Sequence, residues 1–134
     1  MATEITVRAI APGSALACLD AVASAQVEAA CERSLFATPE AVAAAVAYVD
    51  AKIGLLAATI ALADRDPTAQ SSLERLRRGL EVDRFGIVAH VLKTRGCNPP
   101  DCAELKLLRD TGRVLTNIKT RAFDTHVAAH AAAW

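Results

Sequence analysis

Residues 38–64, TPEAVAAAVAYVDAKIGLLAATIALAD, decide the fold. Thr38 reads as an N-cap, Pro39 suits the first helical position, and Glu40 sets a carboxylate at the positive end of the helix dipole. Nothing interrupts the helix until Asp66-Pro67, because proline restricts the residue before it and has no amide hydrogen to donate. The expectation is one helix over 39–64, about 25 residues and roughly 37 Å long.

Within it, Val42, Val46, Val49, Ile53, Leu56 and Ile60 advance by alternating steps of four and three. At about 100° per residue they form one narrow stripe, the seam of a helix packed lengthwise on another. Tyr48, Leu55 and Leu62 make a second ridge almost opposite. Ala43, Ala47, Gly54, Ala57 and Ala61 form a third flank, small enough for another backbone to come close. A helix apolar on nearly every side is expected to be buried on nearly every side. Its length also suits a membrane span. However, Asp50 and Lys52 sit near its middle, about 200° apart, and alanine contributes little transfer energy, so no membrane partner is expected.

The rest of the chain follows the same logic. Residues 3–10 alternate like a short extended N-terminal arm, and Ser14 after Pro12-Gly13 starts a helix over about 14–34. Ser71 with Glu74 reads as a capping box for a third helix over 71–95, with an apolar stripe of Leu73, Leu76, Leu80, Ile87 and Val91. Gly96, then Pro99-Pro100, stops it. Asp101 and Glu104 begin a fourth helix over 101–133, with Leu105, Leu108, Leu115, Ile118 and Ala122 inward and Gly112 as its weak point. Lys106, Arg109, Arg113 and Lys119 face out. Four long helices on short loops predict an all-α, up-down-up-down four-helix bundle, one domain over 1–134.

Composition bounds the function. Hydrophobic residues make up 53% of the chain and aromatics only 4%, so alanine-rich packing gives a thin core that favours self-association. Formal net charge is zero, which gives no general attraction to nucleic acid or anionic lipid. The charge is uneven: residues 1–64 carry a net of −4 and residues 65–134 a net of +4. A short Ala15-Leu16-Ala17-Cys18 run has the wrong flanks for an export signal, with Glu4 before it and Pro12-Gly13 interrupting. The expectation is a cytoplasmic protein with reduced thiols.

Four groups of residues carry candidate chemistry. Asp83 and His90 share one flank of the expected third helix, together with Gly79 and Gly86, and Asp50 is the other polar group expected to be enclosed. Asp50, Asp83, Arg84 and His90 therefore make the candidate pocket, with His90 as acid or base. The competing reading is a hydrogen-bonded interior histidine and an Asp83–Arg84 pair. Cys31, Cys97 and Cys102 gather at one pole of the bundle with His90 below, a donor set that suits zinc, although CxxxxC is not a zinc spacing. His126 and His130, four apart on the last helix, lack a third ligand and suit the dipole at a helix C-terminus. No metal or cofactor is expected.

Arg84, five residues and His90 resemble the arginine-to-histidine spacing of HEPN-type ribonucleases, which are all-helical and often dimeric. The resemblance covers those two residues, with Phe85 where that family commonly has a polar residue; it implies RNA cleavage dependent on His90. The residues themselves predict a self-associating bundle, a homodimer, acting by binding rather than catalysis. A small-ligand or metal-binding bundle is the remaining alternative.

Overall fold

The computed structural model describes residues 25–99 and 102–134. The arm at residues 3–10, the first part of the helix over 14–34 and the Asp101 cap lie outside them. Six α-helices occur among the described residues: α1 (Ala25–Leu35), α2 (Pro39–Ala63), α3 (Gln70–Val82), α4 (Ile87–Thr94), α5 (Gly112–Thr120) and α6 (Ala122–Ala131). Short 3-10 turns lie at Pro67–Ala69 and Glu104–Leu107. The chain is all-α, as its sequence predicts.

The long helix α2 starts as expected, with the Thr38 hydroxyl accepting from the Ala41 amide at 3.0 Å and Pro39 at its first position. Its predicted stripe faces the core: Val49, Ile53 and Leu56 are buried, and Val42, Val46 and Ile60 pack half-buried against them. Burial on every side does not follow. Only six of its 25 residues are buried. Ala43, Ala47, Gly54, Ala57 and Ala61 are all exposed, and Leu62 is 52% exposed. Helices α1, α3 and α4 all pack against α2, and the described elements leave this small-residue flank bare.

The third helix is two helices. Asp83 turns left-handed (φ 36°) after Val82, and Gly86 does so again (φ 73°) before α4. Aspartate tolerates that conformation, and its side chain folds forward to cap the next helix. At Gly86 a Cβ would lie 2.6 Å from the Phe123 backbone nitrogen, so glycine is required twice over, by φ and by the approach of α6. Helix α4 ends where expected. Gly96 is left-handed (φ 86°), its amide reaches Lys93 O at 3.0 Å, and the Cys97 amide reaches Leu92 O at 2.9 Å, a Schellman closure. The Ser71–Glu74 capping box does not start α3; Asp66 caps the 3-10 turn that leads into it.

The fourth helix is divided as well. After the turn at Glu104–Leu107, Leu108 is extended and the loop is bound sideways to α3. Glu81 accepts from the Arg109 and Asp110 amides at 2.7 and 2.8 Å, and Arg77 donates to Leu107 O at 2.9 Å. Backbone groups used this way are unavailable to a helical ladder. Helix α5 then begins at Gly112, and a second left-handed residue, Arg121 (φ 57°), separates it from α6. The inward face of α5 is Val114 and Asn117, with Ile118 half-buried, whereas Leu115 is 36% exposed.

Phe36 lies at the junction of α1 and α2 and is 1% exposed. The rings of Phe85 and Phe123 approach it at 6.1 Å, joining α1, the α3–α4 turn and α6 in one aromatic cluster.

Candidate functional site

Asp83 sits at the centre of the one buried polar node among the described residues, with Asn117 as the other buried polar side chain. Its carboxylate accepts from the Val88 amide at 2.8 Å and the Ala89 amide at 3.1 Å, the second and third residues of α4. Asn117 Nδ2 from α5 donates to the same carboxylate at 3.1 Å and to the Asp83 carbonyl at 2.7 Å. Burial pushes the Asp83 carboxyl above the ordinary carboxylate range, against the pull of Asn117, the two amides and the charge of Arg113. Three hydrogen bonds to the carboxylate and one to the carbonyl hold the Asp83 turn, α4 and α5 together. This is a structural knot.

The helix break separates the other expected pocket residues. Arg84 lies in the turn, with its guanidinium over the Phe85 ring at 5.7 Å. His90 is on α4, its ring stacked on Phe123 at 4.0 Å. Asp50, expected to be enclosed, is at the surface: Arg95 Nη2 pairs with its carboxylate at 2.7 Å and also donates to its carbonyl at 3.1 Å. Of the four candidates only His90 lines the cleft between α4, α5 and α6, where it meets Lys93, Asn117, Arg121 and Asp124. That cleft holds about 20 Å³, room for a single water molecule. Burial pushes the His90 imidazole below the ordinary histidine value; Asp124 opposes this and Lys93 adds to it. An imidazole with a lowered pKa at a mixed-charge rim can move a proton, but a space this small does not enclose an organic substrate.

The cysteines are also corrected. Cys97 and Cys102 form a disulfide across their turn, so the reduced pair expected of a cytoplasmic protein is not what the structure contains. Bonded sulfurs are lost as thiolate ligands. Cys31 is free, 2% exposed and part of the apolar core. Among the described residues no three His, Cys, Asp or Glu side chains are placed to hold a metal ion.

One cluster was not legible in the sequence. Glu32 of α1 meets His126 Nδ1 with one carboxylate oxygen, and its other oxygen lies 3.8 Å from His130 Nε2. Both imidazoles lie over the Phe36 ring, with centroids at 5.5 and 5.6 Å. The i, i+4 spacing puts the two histidines on one face, but Glu32 is almost a hundred residues earlier and nothing local announces it. Comparison with protein-family models, curated proteins and solved structures finds no match for this chain.

Proposed function

We propose that this protein is a self-associating, non-catalytic interaction module, and that the uncovered flank of α2 is where a second copy binds. The observation that carries the reading is the burial of only six residues in a 25-residue apolar helix. The exposed positions Ala43, Ala47, Asp50, Gly54, Ala57 and Ala61 advance by four, three, four, three and four. That spacing is the same from either end about Lys52, which suits an antiparallel pair related by a two-fold axis. Small side chains let the two helix axes approach to about 8 Å along a seam roughly 27 Å long. A Cβ on Gly54 would meet nothing within 4 Å, so space for a partner exists there. Asp50, the one charge within the seam, already has Arg95 beside it.

The same reading keeps the up-down-up-down course of the expected bundle, with α3–α4 and α5–α6 as jointed limbs. The small volume of the cleft beside His90 supports binding over catalysis at that residue.

Size-exclusion chromatography with light scattering tests it. The parent is expected to run as a dimer at about 100 µM, and Ala47→Glu as a monomer with unchanged helical circular dichroism. A parent that is monomeric at about 100 µM overturns the proposal. So does flotation of the parent with phospholipid vesicles that Ala47→Glu abolishes, since α2 is long and apolar enough to cross a membrane.

A further inference from the structure

We infer that α6 is a hinged flap, latched onto α1 by the Glu32–His126–His130 cluster and released when the two imidazoles are uncharged. The hinge is Arg121, a non-glycine residue in the left-handed region (φ 57°, ψ 47°) directly between α5 and α6. Beyond it α6 is lightly held. Phe123 in its first turn is its single buried residue, and Asp124, Thr125, Ala128 and Ala129 are exposed. Apart from Val127, half-buried against the core, the remainder is held by its two histidines and by Trp134. Glu32 is shared between His126 and His130, and Trp134 Nε1 donates to the Phe36 carbonyl at 2.9 Å.

Beneath the latch lies apolar surface. His126 and His130 cover one side of Phe36, and His126 also meets the Phe85 ring edge-on at 5.6 Å. Lifting α6 about Arg121 uncovers Phe36 and Phe85, both buried in the closed form. The device therefore converts a change of proton concentration into exposure of an aromatic patch.

The charge logic fixes the direction. A carboxylate between two imidazolium rings is an ion pair made twice; between two neutral imidazoles it is at most a set of ordinary hydrogen bonds. Other charged or titratable groups on the packed elements include Arg33 on α1, Arg84 over Phe85, His90 against Phe123, Lys93 on α4, and Asp124, which faces Arg121 at 4.0 Å. Arg33, Arg84 and Arg121 keep one charge throughout. His90, held below the ordinary histidine value by burial, also changes charge on acidification, so the latch must be tested by variants and not by pH alone.

The chain contains a single tryptophan, and it sits at the latch. Acrylamide quenching of Trp134 and hydrogen exchange of residues 122–131, corrected for intrinsic rates, are measured at about pH 5.5 and about pH 8.5, either side of the ordinary histidine value. Quenching and exchange are expected to rise several-fold at the higher pH while α2 amides stay protected. His126→Gln with His130→Gln should behave as open at both values. Glu32→Gln should do the same. His126→Arg supplies a permanent cation and should stay closed at pH 8.5. Equal quenching and protection of the parent at both values overturns the latch, as does a pH response that survives unchanged in the double variant. If the double variant does not fold, Glu32→Gln and His126→Arg decide the matter.

Discussion

Asp83 shows how one side chain can join three segments and set a pH dependence. Replacing it with alanine leaves the Val88 and Ala89 amides and Asn117 Nδ2 without their acceptor in a buried site. The expected cost is about 2–3 kcal/mol. Asn should cost less, about 1–2 kcal/mol, because its one carbonyl still accepts while its amide group faces a donor. The sign of the pH effect follows from the raised pKa. Native Asp83 holds its proton more tightly than the unfolded chain does, so its contribution is greatest below about pH 4 and falls as pH rises through the folded value. Urea midpoints from about pH 3 to pH 7 should show that decline in the parent and its absence in Asp83→Asn. A parallel slope in the two proteins would mean another group is responsible. Two glycines give a second residue-scale contrast. Gly86→Ala should destabilise by about 3 kcal/mol, because it combines left-handed backbone with a Cβ driven against Phe123 N. Gly79→Ala, whose Cβ would meet only the flexible end of Lys52 at 3.9 Å, should stabilise by up to about 1 kcal/mol. Thermal melts of the two variants test both signs.

The elements that matter most are the two joints, and each depends on a contact distant in sequence. The loop before α5 is pinned by Glu81, whose carboxylate binds two consecutive amides of that loop. Glu81→Ala should speed exchange at the Arg109 and Asp110 amides by tenfold or more and cost about 1 kcal/mol. Unchanged exchange there would leave the division of the fourth helix without its proposed cause. The existence and type of these segments were legible in the sequence; their continuity was not. Thr38-Pro39-Glu40 and Gly96 marked true helix ends because capping is a local event. The break at Asp83 left only an oblique trace, a step of seven in the stripe from Leu80 to Ile87 across Glu81, Asp83, Arg84 and Gly86. What completes it is Asn117, 34 residues away, which no local pattern contains. The pocket expectation failed for the same reason. It placed Asp83, Arg84 and His90 on one continuous helix, whereas left-handed Asp83 and Gly86 break the backbone between them. Glu32 with His126 and His130 is the converse case, a cluster assembled wholly by tertiary packing.

At the scale of the whole molecule, a second copy bound on the bare flank of α2, as proposed above, would make stability depend on protein concentration. A two-state homodimer gains stability by mass action, so its unfolding midpoint must rise as concentration rises, whereas that of a monomer does not move. The parent is expected to shift upward by several degrees between about 1 and 100 µM, a size that follows from association contributing a few kcal/mol in a domain of this length. Ala47→Glu places a carboxylate in the seam, opposite the copy's own small residues, and should melt at one temperature throughout that range. At about 1 µM, where the parent is also largely dissociated, the two midpoints should converge, since Ala47 is exposed in the single chain and its replacement disturbs no core contact. Gly54→Ala separates the seam from helix propensity. In the monomer it adds a methyl group in open space and stabilises α2 by about 1 kcal/mol at any concentration. If the seam packs at Gly54 as closely as the spacing implies, that gain should shrink or reverse at about 100 µM, where the methyl meets the opposing backbone. A gain that is the same at both concentrations would place the contact between copies somewhere other than α2.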